Sequence, residues 1–265
     1  MRIDNVYIIT IDHRPEYIEE LVERAKQLPL PEGTPIEIMP GFIGTRLKTE
    51  GDLPYQLYEG WDLTYRNNNN FWWTRPVTYG EAGGVISHTQ CWEDAYEKGY
   101  ETILILEDDF IPIHEIDWSI FDELWDYDWD ICLMSHNSLH GLYSDVAKPS
   151  RIGKEHFIRP TYFYNTHTYV LQSEGIRKLV EDHLWMLKSN IIVSDEFLSA
   201  VTSSHPRWDI REKYISNMIA VATKQNYTGQ SRSEGLGNSL TEPENESKNV
   251  QTIQPIFGLP INRAN

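Results

Sequence analysis

The stretch Thr102-Ile103-Leu104-Ile105-Leu106 is apolar and largely β-branched, and it runs straight into three carboxylates, Glu107, Asp108 and Asp109. An apolar run of this kind reads as a strand buried on both faces, the pattern of a sheet covered by helices on either side. Bare carboxylates at the end of such a strand are costly to desolvate, so they need water, cationic partners or a metal ion. Two readings follow: a solvated acidic turn, or an oxygen-rich site for a hard divalent cation such as Mn²⁺ or Mg²⁺. Placement at the strand end favours the second, because ligands of open α/β sheets bind outside the carboxyl ends of the strands.

The flanking sequence supplies the rest of such a sheet. Val6 to Ile11 is another buried run, closed by Asp12-His13-Arg14-Pro15. Pro15 suits the first turn of a helix, and Glu16, Glu19 and Glu20 complement its positive end. Ile18, Leu21, Val22, Ala25 and Leu28 then recur at helical spacing until Pro29 and Pro31, and Ile36 to Met39 returns as a strand. This is a βαβ opening. Gly80 to Lys98 predicts a helix with Val85, Ile86, Thr89, Trp92, Ala95 and Tyr96 on one face and Gly99 as its stop. Asp130–Met134 and Thr168–Gln172 predict further buried strands. Ser173 and Ser194 are expected to cap the next two helices, which turn Ile176, Leu179, Val180, Leu184 and Leu187, then Phe197, Leu198 and Val201, inward.

The expected fold class is therefore α/β, a Rossmann-type, mostly parallel sheet flanked by helices, in one domain over residues 1–227. From about 45 to 78 periodicity is lost while aromatics gather (Tyr55, Tyr58, Trp61, Tyr65, Phe71, Trp72, Trp73), which predicts an ordered insertion bordering a cleft. Residues 228–265 turn to Gly, Ser, Asn, Glu and Pro and are expected to form a C-terminal arm or lid.

The formal charge of −17 narrows the partners. A strongly anionic surface repels polyphosphate backbones and anionic headgroups, so neither nucleic acid nor membrane is expected as a partner. A phosphate-bearing substrate would need a local cation to offset that field. Cys91 and Cys132, the only cysteines, lack metal-ligand spacing and read as free thiols. The start of the chain carries no leader pattern, and no apolar run approaches the ~18 residues of a membrane span, so a cytoplasmic protein is expected.

The stretch from Gly80 to Phe110, GEAGGVISHTQCWEDAYEKGYETILILEDDF, resembles the core signature of glycosyltransferase family 25, which includes lipooligosaccharide and collagen galactosyltransferases. Three further blocks agree in order: VYIITIDHRPE, NTHTYVLQSEGIRKLVE and SDEFL. The resemblance spans roughly Val6 to Leu198, with a weaker echo over Gln225 to Glu242. Thr10 stands where the family usually has Asn, His13 where Arg is common, and Asn165 where Gly is common.

The resemblance implies a GT-A-like fold and an inverting transfer of a hexose, galactose or glucose, from a nucleotide diphosphate sugar, usually UDP-linked. The acceptor would be a hydroxyl of a glycan, a lipid-linked saccharide or a protein. It places the cation on Glu107 and Asp109 with His167 completing the shell, and Asp108 assisting. Thr10, Asp12, Arg14, Glu81 and His88 are expected along the donor cleft, with Asp195 the candidate base and Glu196 the second. Each has a plainer alternative. Asp195 suits the first turn of a helix by its charge, Arg14 a surface, and Glu81 the cap of the helix it opens. His88 and His167 suit a hydrogen-bonded core. A sugar-binding protein that has lost turnover, a transferase acting on modified DNA bases, and a two-carboxylate hydrolase are the rival functions.

Overall fold

The computed structural model describes residues 1–51, 53–62, 73–138, 148–202 and 205–230. In chain order its first elements are β1 (Asn5–Thr10), α1 (Pro15–Lys26), β2 (Ile36–Pro40), α2 (Arg46–Thr49), α3 (Tyr79–Lys98), β3 (Thr102–Glu107) and β4 (Phe110–Pro112). There follow β5 (Ile131–Leu133), β6 (Asn137–Ser138), β7 (Ser150–Arg151), β8 (Phe157–Arg159), β9 (Phe163–Tyr164) and β10 (Thr168–Gln172). The remainder is α4 (Ser173–Arg177), α5 (Leu184–Ser189), α6 (Ser194–Val201), α7 (Trp208–Lys213), β11 (Ala220–Thr223) and β12 (Thr228–Gln230).

Eight strands form one sheet in the order β2-β1-β3-β10-β5-β11-β8-β7. The α/β, GT-A-like architecture expected from the sequence is present, and its sheet is mixed. β1 runs parallel to β2 and β3, and β5 parallel to β11. β10 is inserted antiparallel between β3 and β5. Apolar periodicity marks a buried strand but carries no information on its direction, so β10 reads the same either way.

Alternate residues of the central strands feed two cores. Val6, Ile8, Leu104, Leu106, Cys132 and Val170 face α1 and the 3₁₀ segment Trp118–Leu124. Tyr7, Ile9, Ile103, Ile105, Tyr169 and Leu171 face α3 and the α4–α6 region. Cys91 and Cys132 are both buried as free thiols, one in each core, with the sheet between them.

The helix ends depart from expectation in two places. Gln172 and Val193, both in extended backbone, precede α4 and α6, so Ser173 and Ser194 are the first helical residues and neither caps. A π-helical turn, Lys178–His183, joins α4 to α5 and leaves Val180 half-buried while Leu179 and Leu184 are buried. Strand β5 is shorter than Asp130–Met134, although the Asp130 and Met134 amides still bond the Ile219 and Thr168 carbonyls; the Asp130 carboxylate holds Lys178 and the Ile219 amide. On α3, Tyr96 is exposed rather than turned inward.

Of the aromatic insertion, residue 52 and residues 63–72, including Tyr65, Phe71 and Trp72, lie outside the described residues. The part described is packed: Trp61 and Trp73 are buried, and Leu57 forms an isolated bridge to Ile191. The expected arm over residues 228–265 is described only to Gln230, and there it is a strand, with β12 antiparallel to β4.

Two neighbouring glycines on α3 differ in what surrounds them. A Cβ on Gly83 would lie 2.6 Å from the Phe42 carbonyl oxygen and 2.9 Å from the Gly44 nitrogen, both backbone atoms. Gly44 in turn abuts the Tyr79 carbonyl, and Ser87 accepts a hydrogen bond from the Phe42 amide at 2.8 Å. The loop after β2 therefore lies directly on the first turns of α3. A Cβ on Gly84 meets nothing within 4 Å. Gly83→Ala should cost about 2 kcal/mol by overpacking, lowering the melting temperature by roughly 4–8 °C. Gly84→Ala should gain up to about 1 kcal/mol in helix propensity. Thermal unfolding of the two variants checks this, and equal shifts would contradict it.

Candidate active site

The ends of β1, β3 and β10 lie side by side, and each delivers part of the site. Ile9 pairs with Glu107 and Thr168 with Leu106, so Thr10 and His167 flank the acidic turn from either side. The Glu107 amide donates to the His167 carbonyl at 2.9 Å. Beyond the turn, β4 pairs with β12, and Gln230, opposite Phe110, hydrogen-bonds the Asp109 carboxyl.

The three carboxylates are held differently. Glu107 accepts from His88 Nε2 at 3.1 Å. His88 Nδ1 lies 2.8 Å from the Tyr169 hydroxyl, which also accepts from Trp92 Nε1 at 3.0 Å. Indole N–H can only donate and a carboxylate can only accept, so the chain runs Trp92 to Tyr169 to His88 to Glu107, with the His88 proton on Nε2. Burial pushes the Glu107 carboxyl up, but the His88 hydrogen bond, helped by the electrostatic influence of the His88 and His167 rings, outweighs it and holds it below its usual range. Asp108 accepts from the Thr10 hydroxyl at 2.6 Å, and its carbonyl takes Arg24 Nη1 at 2.9 Å. Burial raises the Asp108 carboxyl, opposed by the Thr10 bond.

Asp109 is the least compensated. Burial, then the charges of Glu107 and Asp108, push its carboxyl up to about 7. Its Oδ1 is buried with no hydrogen-bond partner among the described residues. His167 is 1% exposed with Nδ1 likewise buried and unpartnered, and burial pushes its imidazole down to about 4, so it is neutral near pH 7. Among the described residues, no Lys or Arg lies within 4.0 Å of these carboxylates. Carboxylate oxygens and a neutral imidazole are the donor set of a divalent-metal site, and two of these atoms lack any other partner. The residues fit a cation. Their ligand atoms do not close on a common point here; among the described residues the trio that does, within 4.8 Å, is Glu123, Glu155 and His156 beside β8.

The remaining predicted residues divide. Asp12 and Arg14 sit at the exposed end of β1 and bind each other, the Arg14 guanidinium holding the Asp12 carboxyl down to about 2. His88, 2% exposed, reaches the cleft only through Glu107. Glu81 forms the capping box of α3 with Thr78 and a buried bidentate pair with Arg75, at 2.6 and 2.9 Å, and its charge reaches the Asp195 carboxyl. Glu196 is 1% exposed and hydrogen-bonded to aromatic residues. Asp195 is half-buried in the first turn of α6, where the neighbouring Ser194 hydroxyl lies 3.5 Å from that of Thr166, next to His167. Burial, then the charges of Glu196, Glu107 and Glu81, raise the Asp195 carboxyl well above its usual range. Tyr169 and Gln230 escaped the sequence reading, since nothing local marks either as a partner of the acidic turn.

Residues 4–198 match the model of glycosyltransferase family 25, described as an LPS biosynthesis protein. The chain belongs to glycosyltransferase family 25. The family member from Aedes aegypti is 24% identical over 212 residues, covering 78% of this chain and 32% of the relative. Procollagen galactosyltransferase 2 of Homo sapiens is 26% identical over 170 residues, covering 59% and 26%. A family 25 member 3 of Bos taurus, described as "Probable inactive", is 23% identical over 246 residues, covering 87% and 38%. The chain thus spans about a third of the length of these curated relatives. Among solved structures, A197 from STIV gives a TM-score of 0.37 at 12% identity, covering 86% of this chain and 83% of that one.

Two departures from the family 25 pattern have a local structural account. Asn165 has φ 70°, the left-handed geometry that Gly and Asn accept most readily. Thr10 supplies the side-chain donor to Asp108 that an Asn amide could also give.

Two measurements check the site. Tyr169→Phe leaves Trp92 Nε1 and His88 Nδ1 buried and unpaired, at about 1–3 kcal/mol each, so urea unfolding should show a loss of roughly 2–4 kcal/mol. Burial also lowers the His136 and His183 imidazoles. Together with His167 they make the unfolded chain bind protons first as pH falls below about 6.5, so their share of the stability is complete above that pH. The raised Asp109 and Asp195 carboxyls act in the opposite sense over the same window, so the imidazole share is read group by group: by NMR in metal-free buffer the His167 ring should titrate near 4, and a ring titrating near the usual value of about 6.5 would contradict a neutral buried imidazole.

Proposed function

We propose that the chain transfers a hexose, galactose or glucose, from a UDP-linked nucleotide sugar to a hydroxyl of a glycan, lipid-linked saccharide or protein, with inversion. Glu107, Asp109 and His167 would hold a Mn²⁺ or Mg²⁺ ion. The observation that carries this reading is the pair of buried, unpartnered ligand atoms, Asp109 Oδ1 and His167 Nδ1, at neighbouring strand ends. Family membership supports it.

When bound, the cation would offset charge developing on the leaving nucleoside diphosphate. The chain's own residues have separate tasks. The Trp92–Tyr169–His88 series keeps the Glu107 carboxylate oriented. The Thr10–Asp108 bond fixes the ends of β1 and β3 to each other. Asp12 and Arg14 offer a paired carboxylate and guanidinium beside the same edge, suited to the ribose and base of the donor. Asp195 takes the acceptor hydroxyl proton as that oxygen bonds to the anomeric carbon and the bond to the diphosphate oxygen breaks. Its raised proton affinity suits the role. No helix among the described residues is long and apolar enough to cross a membrane, and the two buried thiols accord with a cytoplasmic setting.

A thermal-shift screen of UDP-galactose and UDP-glucose, with and without Mn²⁺, should show a metal-dependent rise in melting temperature for the true donor. UDP release should be abolished by EDTA and fall at least about 100-fold in Asp109→Ala. Binding without turnover would indicate a sugar-binding protein, and neither binding nor turnover with any divalent ion would end the transferase reading.

A further inference from the structure

Glu196 lies beside Asp195 in α6, and four donors from three separate segments converge on its carboxylate. Trp73 Nε1 is 3.0 Å from Oε1, the Tyr162 hydroxyl 2.8 Å, the Tyr164 hydroxyl 3.1 Å, and His205 Nε2 is 2.6 Å from Oε2. The Arg207 amide donates to His205 Nδ1 at 3.1 Å, so Nε2 carries the proton and points it at Glu196. Among the described residues no Lys or Arg nitrogen lies within 4.0 Å of Glu196. Buried carboxylates usually draw a cation; among the described residues this one is held by neutral donors, which satisfy its oxygens without a countercharge.

The same set of contacts joins parts of the chain far apart in sequence. Trp73 ends the aromatic insertion, Tyr162 and Tyr164 bracket Phe163 in β9, and His205 follows α6. Arg207 reinforces the join, its guanidinium 4.8 Å from the Trp61 ring centre and 5.7 Å from that of Trp73, with hydrogen bonds to the Trp61 and Gly60 carbonyls. Asp195 Oδ1 accepts from the Glu196 amide at 2.8 Å, so fixing Glu196 fixes the direction in which Asp195 points.

We propose that Glu196 is a positioning residue for Asp195, fastening the end of the aromatic insertion to the first turn of α6 and keeping a fixed negative charge beside the base. This rests on the reading of Asp195 as the base. The groups acting on the Asp195 carboxyl are its own burial, then the Glu196, Glu107 and Glu81 carboxylates, all raising its proton affinity, against the Glu196 amide, which lowers it. Among the described residues the groups facing Glu196 itself are an indole, two phenols and an imidazole, none carrying formal charge in these tautomers, with the Asp195 carboxyl beside it.

The test is the pH dependence of UDP release from UDP-galactose with Mn²⁺ by the full chain. Glu196→Gln removes the charge at nearly constant size; the acid limb of kcat/KM should move to lower pH and kcat should fall about 10–100-fold. Tyr164→Phe removes one donor and keeps the charge, so kcat should fall several-fold while the limb and the KM for UDP-galactose stay in place. Asp195→Asn should lose about 100-fold or more, and the limb with it. A Glu196→Gln limb that does not move overturns the positioning role and leaves Asp195 standing as base. If that variant does not fold, an unchanged kcat in Tyr164→Phe overturns the role by itself. Wild-type rate and limb in Asp195→Asn would overturn the base assignment and this inference together.

Discussion

Uncompensated negative charge organises this molecule. Five carboxylates, Glu107, Asp108, Asp109, Asp195 and Glu196, are buried or half-buried near the ends of β3 and in the first turn of α6. None of them has a Lys or Arg within ion-pairing distance among the described residues. Burying ionised groups without countercharge costs several kcal/mol each unless hydrogen bonds or a bound cation make up the deficit. The surrounding packing shows how the chain divides that task. Glu107 and Glu196 are satisfied by buried aromatic and imidazole donors, whereas Asp109 is left with an oxygen that no described residue meets.

The sheet topology makes the division work. Because β10 enters antiparallel between β3 and β5, the start of β10 lies against the end of β3, and His167 arrives beside Glu107. A parallel β10 would have brought Gln172 there and sent His167 to the opposite edge. The same insertion sets Tyr169 beneath α3, where His88 and Trp92 meet its hydroxyl one turn apart on the helix. A single pairing thus supplies both a neutral ligand atom and the support of the neighbouring carboxylate.

Much of this was legible in the sequence, for reasons that differ between residues. The strand and its acidic end are contiguous, so Glu107 to Asp109 declared themselves, and the ordered motifs placed Asp195 and His167 in the same region. What could not be read were contacts made by residues far apart in sequence, such as Gln230 on Asp109, or Trp73 and His205 on Glu196. Glu81 kept two readings, because a carboxylate three residues after a Thr suits a capping box and a donor site equally well; its capping role and its pairing with the buried Arg75 could be seen only in the folded chain. The antiparallel direction of β10 was hidden because alternation and apolarity are blind to strand sense.

The contrast between Asp109 and Glu196 also bears on how such a site can stay both stable and responsive. A carboxylate whose donors are all supplied by the protein is fixed whether or not substrate is present, as Glu196 is. A carboxylate left with a bare buried oxygen gains most when something cationic arrives, because the cost of its burial has already been met by the fold. Asp109 lies between β3 and β4 and His167 directly before β10, so each is held next to a paired strand. Asp195, one residue from a fixed charge and in the electrostatic reach of Glu107, lies between these extremes. A cation at the strand ends would offset the Glu107 charge that helps to raise Asp195, so its binding and the proton affinity of Asp195 would be coupled through the same field.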